Sequence, residues 1–303
     1  MRPSTSKVPP LEAVVLTWNS VSEIEICLRS MAACFKEYQP GGVIHVVDNG
    51  STDGTVAMVE ALAEEIAGVE IRCHPLGENT GTTFSRNVAL KQVTAPFLLV
   101  ADSDTEFPPG SITALVKTLK SHSHAGLVAP QLFFPDGEEQ ENCRRFPTIW
   151  TKVLRTLVAR FGVGERLREK NESYAPQPSL EVDCAISACW MLRKAAVDQI
   201  GLLDEEIFYS PEDTDYCVRL RLGGWKLVWD RRIKVTHHTK RLSHKGFFNS
   251  HARSHTLGLR YFWRKHDFRW RREGLYARFP AAPSVAEEQG VEESSSDEVR
   301  LQA

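Results

Sequence analysis

The chain has 303 residues, of which 42% are hydrophobic and 25% are charged, and its net charge is -2. These fractions are those of an ordinary globular protein and exclude a chain that is disordered throughout. The balanced charge argues against a nucleic-acid-binding protein, which would carry an excess of positive charge.

Cysteine usage and apolar runs indicate the compartment. The seven cysteines are scattered without a Cys-x-x-Cys pair, and an odd number cannot all pair within one chain, so we expect a reducing environment. The apolar run at residues 96–101 is too short to span a bilayer, and residues 1–10 lack the apolar core of a signal peptide. These patterns predict a cytoplasmic protein, at most peripheral at the inner face of the membrane.

The first half of the chain alternates β-rich runs with helical patterns. Predicted strands cover residues 14–17, 43–47, 69–73 and 96–101, and predicted helices cover 21–35, 55–66 and 82–92. This alternation is typical of parallel strands joined by crossover helices. It predicts an α/β fold with a Rossmann-like, mostly parallel central sheet flanked by helices, in which polar loops meet at the carboxyl ends of the strands.

The second half is less regular. It contains predicted helices at residues 111–119, 149–161 and 212–222, and predicted strands at 126–134, 182–192, 225–230 and 233–236. Residues 241–275 form a basic, aromatic and helical segment, and residues 276–303 are rich in Glu and Ser. Because such a tail has little apolar surface to bury, we expect it to be disordered.

Two polar segments follow predicted strands of the first half. Asp48 ends a strand and begins a run of turn residues, so its carboxylate could accept hydrogen bonds from a nucleobase or a ribose, although a simple turn and helix cap explains the run as well. Asn79, Gly81, Arg86 and Asn87 surround the start of the next helix. Helix amides and a guanidinium there could face a diphosphate, but an exposed arginine on an amphipathic helix is the simpler explanation.

Acidic residues mark two further sites. Asp102 and Asp104 follow the most hydrophobic strand on either side of Ser103, and alternate residues of an extended chain point the same way. Two such carboxylates favour a Mg2+ or Mn2+ site over a solvated loop. Glu212 and Asp213 open a helix after an apolar segment, where a carboxylate could act as a general base or simply complement the helix dipole.

In this order, the segments resemble the family 2 glycosyltransferases of GT-A fold, especially their bacterial rhamnosyltransferase-like branch. The resemblance covers about residues 11–238. It depends on the run at 47–54, on Asn79-x-Gly81 with Arg86-Asn87, on Asp102-x-Asp104, and on residues 188–193, 200–205 and 212–217. Together these motifs are specific, although each alone is weak.

The resemblance implies a role for each matching residue. It implies that the donor is bound by Thr17, Asn19, Asp48, Asn79, Gly81, Arg86, Asn87, Asp102 and Ser103. It implies that Mn2+ or Mg2+ is held by Asp102, Asp104 and His237. Asp213 is then the catalytic base, and the acceptor site is formed or supported by Ser187, Glu212 and Asp215. Ser187 replaces a glycine that many relatives have, which could narrow the acceptor pocket. The complete Asp-Ser-Asp, where many relatives have a single acid, favours metal dependence.

The expected activity is therefore inverting transfer of one sugar from a nucleoside-diphosphate sugar, such as dTDP-rhamnose or a UDP-sugar, to a glycan or lipid-linked acceptor. The expected domains are an extension at 1–10, a single catalytic domain at 11–240 with a nucleotide-sugar half (11–110) and an acceptor half (111–240), and the two C-terminal segments. Residues 245–272 could contact a membrane peripherally or pack as a helix on the catalytic domain.

Other classes of protein share parts of this pattern. A sugar nucleotidyltransferase would also bind a nucleotide and a metal, and a non-catalytic protein could bind the nucleotide sugar without turnover. A nicotinamide dehydrogenase is disfavoured because residues 17–20 after the first strand lack the Gly-x-Gly-x-x-Gly run. A processive polysaccharide synthase would need transmembrane helices.

Overall fold

One mixed β-sheet organises the part of the chain that the computed structural model describes, residues 10–161, 174, 177–239 and 250–280. The strands are β1 (Leu11–Thr17), β2 (Val43–Asp48), β3 (Glu70–Pro75), β4 (Phe97–Asp102), β5 (Thr105–Glu106), β6 (Ala125–Phe133), β7 (Cys143–Arg144), β8 (Ser179–Glu181), β9 (Cys184–Ala185), β10 (Cys189–Arg193) and β11 (Lys226–His237). The main sheet has the order β3-β2-β1-β4-β10-β6-β11-β5, with β8 paired to β11, while β7 and β9 form a separate pair.

Helices cover both faces of this sheet. They are α1 (Ile24–Tyr38), α2 (Thr55–Glu65), α3 (Thr82–Leu90), α4 (Ser111–Ser121), α5 (Ile149–Phe161), α6 (Lys194–Ile200), α7 (Glu212–Leu222), α8 (Ser250–Lys265) and α9 (Glu273–Tyr276). One hydrophobic cluster contains residues of α1, α2 and α4, and the other contains residues of α3, α6, α7 and α8. None of the helices in the described ranges is long and apolar enough to cross a lipid bilayer.

Strand β4 lies at the centre of the sheet. Leu98 and Val100 pack in one cluster, and Leu99 and Ala101 pack in the other, which accounts for the unbroken hydrophobic run in the sequence. The strands β1, β2, β3 and β4 are parallel to one another, with β1 paired to β2 and β4, and β2 paired to β3. The predicted α/β class, the central sheet and the flanking helices are therefore confirmed for the first half of the chain.

Two strand predictions in the second half were wrong. Residues 182–192 do not form one strand, because Cys184 pairs with β7 whereas Cys189 begins β10, which runs antiparallel to β4 and β6. The predicted strands at 225–230 and 233–236 are one strand, β11, which has a register shift between Asp230 and Lys234. The buried Asp230 carboxylate accepts hydrogen bonds from Arg232 there, so the chain bulges without leaving the sheet.

The C-terminal segment packs against the second hydrophobic cluster. Phe262, Phe268 and Leu275 are buried in it, and the rings of Phe146 and Phe279 meet edge to face at 6.1 Å. Packed structure therefore continues past the predicted start of the tail at residue 276. Residues 1–9, 240–249 and 281–303, which include the predicted extension and most of the predicted tail, lie outside the described residues.

A buried carboxylate joins this segment to the sheet domain. Asp215 on α7 is fully buried, and its oxygens lie 2.7 Å from Lys265 Nζ, 2.7 Å from His266 Nε2 and 2.9 Å from Arg219 Nε. Burial tends to raise the pKa of Asp215, but the hydrogen bond from His266 and the charges of Arg219 and Lys265 outweigh it and lower the pKa to about 2. The charged form is therefore the one that stabilises the fold.

Asp215→Asn should lower the free energy of unfolding by about 2–3 kcal/mol at neutral pH, because it removes the buried charge that His266, Arg219 and Lys265 stabilise. A folded-state pKa below the unfolded one means that this stabilisation is present above about pH 4 and is lost towards about pH 2. Urea titrations should show the gap between the two proteins narrowing over that range.

Asp198→Asn is the matched control, since it breaks an exposed ion pair with Lys194 and should cost less than about 1 kcal/mol. Equal costs for the two substitutions would contradict the role of Asp215.

Candidate active site

Two carboxylates and one imidazole meet at the carboxyl end of the central strands. Ligand atoms of Asp102, Asp104 and His237 all lie within 4.8 Å of one another. The antiparallel pairing of β5 with β11 brings them together, because it sets His237 opposite Thr105 and lets His238 N donate to Asp104 O at 2.7 Å. Oxygen and imidazole donors at this spacing suit a divalent cation such as Mn2+ or Mg2+.

The buried imidazole of His237 is oriented from both sides. Its Nδ1 lies 2.9 Å from Gln140 Oε1, and its Nε2 lies 3.1 Å from Asp104 Oδ1. Burial lowers the pKa of His237, but the hydrogen bond to Asp104 and the charges of Asp104 and Asp102 raise it by more. A proton on Nδ1 directed at Gln140 leaves Nε2 as the ligand atom, which is the usual arrangement of a metal-binding histidine.

A buried arginine lies directly behind the acidic pair. Arg86 is 1% exposed; its Nη2 donates to Asp102 Oδ1, and its Nη1 donates to Ser187 Oγ at 2.7 Å. The guanidinium therefore supports Asp102 instead of facing a diphosphate, which differs from the sequence expectation.

Ser187 links this arginine to the start of α7. Its hydroxyl donates to Glu212 Oε1 at 3.1 Å, and Arg86 Nη1 is 3.6 Å from the same oxygen. The hydroxyl is thus engaged inside the protein. Burial and the adjacent charge of Asp213 raise the pKa of Glu212, while Arg86 opposes this shift. Because Glu212 is buried and engaged in this way, it is suited to holding the start of α7 in position.

Asp213 occupies a different environment one residue later. It is only half-buried, and its Oδ1 accepts hydrogen bonds from the backbone and hydroxyl of Thr214, at 2.6 and 3.0 Å. Within the described residues, no hydrogen bond to Oδ2 is present. Asp213 therefore has an oxygen available to a hydroxyl, whereas Asp215 is committed to holding α8.

The predicted nucleotide side is formed by the ends of β1 and β2. Asp48 is buried, and its Oδ2 accepts the backbone N–H of Gly50 at 3.2 Å and of Ser51 at 2.9 Å. Its carboxylate thus organises its own turn. Next to it, on paired strand β1, the hydroxyl of Thr17 is buried without a hydrogen-bond partner among the described residues. Such an orphan is uncommon, and a bound polar ligand could satisfy it.

Asn19 and Ser103 tie neighbouring loops together. Asn19 Oδ1 accepts the backbone N–H of Thr52 at 2.8 Å, which joins the end of β1 to the turn after β2. Ser103 Oγ donates to Ser20 Oγ at 2.9 Å. Both residues lie at the predicted donor side of the sheet, where they fix the loops.

The start of α3 is sealed by protein. A Cβ atom on Gly81 would lie 2.4 Å from the backbone oxygen of Phe208, the same oxygen that accepts the N–H of Thr82 at 2.7 Å. Asn79 Oδ1 accepts the N–H of Gly81 and the side-chain amide of Asn49, both at 3.1 Å. The amide of Thr82 is thus taken by protein, and the expectation that this helix end faces a diphosphate is not supported.

Asn87 also differs from its expected role. It is buried, its Nδ2 donates to Leu203 O at 2.9 Å and to Glu205 Oε1 at 2.8 Å, and its Oδ1 accepts Leu203 N at 3.0 Å. All its amide groups hold the loop before α7, so none is left for a donor.

Sequence reasoning missed the supporting residues. Gln140, which orients His237, lies in an irregular stretch without periodicity, so no sequence signal pointed to it. His266 and Lys265, which hold Asp215, were treated as part of a basic surface segment. Only their positions in the fold reveal these contacts.

Comparisons with known proteins identify the family and the fold. One relative is the N-acetylglucosaminyl-diphospho-decaprenol L-rhamnosyltransferase of Mycobacterium tuberculosis strain H37Rv. It is 28% identical to this chain over 240 residues, which cover 75% of this chain and 76% of that protein. The mannosyltransferase PcManGT from Pyrobaculum calidifontis, solved with GDP-Man and Mn2+, matches with a TM-score of 0.56 and 18% identity over 79% of this chain. GalNAc-T7, solved with UDP, GalNAc and Mn2+, matches with a TM-score of 0.55 and 12% identity over 79% of this chain.

The chain spans 60% and 45% of the length of those two solved proteins, and at these identities the likeness concerns the GT-A fold. The family model for glycosyl transferase family 2 matches residues 12–201, which include β1 to β4, the acidic pair and Ser187. The chain therefore belongs to glycosyl transferase family 2.

Proposed function

We propose that the chain is an inverting glycosyltransferase that moves one sugar from a nucleoside-diphosphate sugar to an acceptor hydroxyl. The observation that carries the proposal is the connected site in which the Asp102, Asp104 and His237 cluster is joined through Arg86 to the helix that presents Asp213. Membership of the family and the sugar transfer named for its mycobacterial relative support the reaction class.

The donor side would be formed by the metal cluster and the ends of β1 and β2. Asp102, Asp104 and His237 would hold Mn2+ or Mg2+, which neutralises charge on a departing diphosphate when it is bound. The free hydroxyl of Thr17 would donate to the nucleotide beside the turn organised by Asp48. The name of the mycobacterial relative makes dTDP-rhamnose our first choice of donor, with a UDP-sugar second.

Asp213 would remove the acceptor proton. As the acceptor oxygen bonds to the anomeric carbon, its proton passes to the carboxylate of Asp213, and the bond from that carbon to the diphosphate oxygen breaks on the opposite side. A single displacement of this kind inverts the anomeric centre. Glu212, Ser187 and Arg86 would hold the start of α7 in position through their hydrogen bonds.

The acceptor would be a lipid-linked glycan in the synthesis of a bacterial cell-surface polysaccharide or glycolipid. The relative named for a diphospho-decaprenol acceptor supports this class. With such an acceptor, this chain would work at the cytoplasmic face of a membrane. It would contact the membrane through residues 245–272, of which 250–272 are described. A nucleotidyltransferase would instead release pyrophosphate, and a non-catalytic protein would bind the donor without forming product.

The donor and metal are tested together by thermal unfolding with dTDP-, UDP- and GDP-sugars, each with and without Mn2+. A donor at about one hundred times its Kd stabilises by about 2.7 kcal/mol, so the matching donor should raise the Tm by about 5 °C or more only when Mn2+ is present. Asp104→Ala should abolish this rise.

Glu106→Gln is the matched control, because Glu106 is a neighbouring carboxylate that pairs with His238 at 2.8 Å instead. It should keep the rise. A rise that is equal with and without Mn2+, or is preserved in Asp104→Ala, would contradict the metal site.

Asp213→Asn should reduce kcat by about 10²–10⁴-fold while leaving the Mn2+-dependent donor binding intact, because it removes the proton acceptor and little else. Product formation and donor binding are measured on the same preparations. Glu64→Gln, an exposed acid on α2, serves as the control and should leave both unchanged. Turnover near that of the wild type in Asp213→Asn would remove Asp213 from the mechanism.

A further inference from the structure

Exposed hydrophobic side chains lie on two backbone segments that meet where α5 begins. The backbone N–H of Ile149 donates to Arg269 O at 2.8 Å, so the next residues along each segment, Trp150 and Trp270, flank one hydrogen bond. Trp150 is 46% exposed, Trp270 is 64% exposed, and Val153, one helical turn after Trp150, is 42% exposed. Because large apolar side chains usually pack inside a protein, a group of them on the surface needs an explanation.

The fold holds this group in place. The indole Nε1 of Trp263 donates to Pro147 O at 3.1 Å, and Arg272 Nε donates to Phe146 O at 2.5 Å, so both segments are fixed just before and after the exposed residues. Thr148 and Thr151 exchange hydrogen bonds across the first turn of α5. Hydrogen bonds therefore hold in place the backbone segments that carry Trp150 and Trp270.

Two arginines flank Trp270 in the chain. Arg269 and Arg271, on either side of Trp270, are exposed and have no hydrogen bond or ion pair from their side chains to other described residues. Residues 256–280 contain seven Lys and Arg but only two acidic residues, although the whole chain has a net charge of -2. The segment that carries Trp270 is thus net positive.

We propose that Trp150, Val153, Trp270, Arg269 and Arg271 form a membrane-docking surface for an anionic lipid bilayer. Tryptophan favours the membrane interface because its ring is apolar and its N–H can remain hydrated. Arginines beside it would meet anionic headgroups, each contributing about a fivefold gain in binding near the surface. Exposed tryptophans with two arginines beside one of them match the chemistry of that interface.

The surface is connected to the proposed acceptor side. His266 and Lys265, which precede Arg269 on the same segment, both contact Asp215, two residues after Asp213. Docking would therefore hold the helix of the catalytic base next to the bilayer that contains a lipid-linked acceptor. This last step rests on the proposed sugar transfer, whereas the docking, which narrows the membrane contact proposed for residues 245–272 to named side chains, does not require transfer.

Flotation of the full chain with vesicles tests the proposal without requiring activity. The wild type should float with vesicles of phosphatidylcholine containing about one-third phosphatidylglycerol, and far less with phosphatidylcholine alone. The double variant Arg269→Gln/Arg271→Gln should bind about 25-fold more weakly, from about fivefold for each arginine. The double variant Trp150→Ala/Trp270→Ala should bind the anionic vesicles roughly tenfold more weakly, or weaker still, in the same assay.

Lys117→Gln/Lys120→Gln is the matched control, because it removes two exposed cations from α4, whose apolar face packs in the other hydrophobic cluster. It should float like the wild type. Thermal melting of each variant confirms folding, since all the substituted side chains are exposed. Absence of flotation by the wild type, equal flotation with both vesicles, or undiminished flotation of both surface variants would overturn the docking surface.

Donor binding in the presence of Mn2+, measured on the same variants, separates the two proposals. Variants that lose flotation but keep the donor response support docking independently of transfer. If wild-type flotation is normal and no donor binds, the proposed function fails while the docking surface stands.

Discussion

The candidate site depends on one buried cation. Arg86 is a full positive charge with almost no contact with water, which is costly unless anions and hydrogen-bond acceptors surround it. Asp102, Ser187 and Glu212 meet that requirement, and they come from β4, from the segment before β10 and from α7. The guanidinium therefore fixes a metal-binding acid relative to the helix of the proposed base. Changing any one of these groups would leave another buried polar group without its partner.

The sheet provides the second constraint. The pairing of β5 with β11 returns the chain to the acidic pair from the far side and places His237 against Asp104. Without that return, Asp102 and Asp104 would be two carboxylates at a strand end, where they repel each other. His237, held by Gln140, supplies a third ligand atom and gives the cluster the composition of a cation site. The long strand β11, with its bulge at Asp230, makes this approach possible.

The C-terminal segment connects the site to the outside of the protein. Its contacts with Asp215 stabilise α7 from behind, while its exposed side carries the tryptophans and arginines of the proposed docking surface. The two alternatives left open by the sequence, a packed helix or a membrane contact, are thus compatible, because one face of the segment packs and the other is exposed.

The sequence by itself determined the first half of the fold, since strands buried on both faces and amphipathic helices each have a period that local composition reveals. The resemblance to a known family also predicted that Asp102, Asp104 and His237 form one site, and the fold brings these three residues together. Tertiary structure decided the rest. The antiparallel pairing of β10 with β4, the bond from buried Arg86 to Ser187 and the use of Asn87 to hold a loop all depend on partners about 85 to 120 residues away. Local periodicity contains no information on such partners, because they are selected by packing and by the need to satisfy buried polar groups.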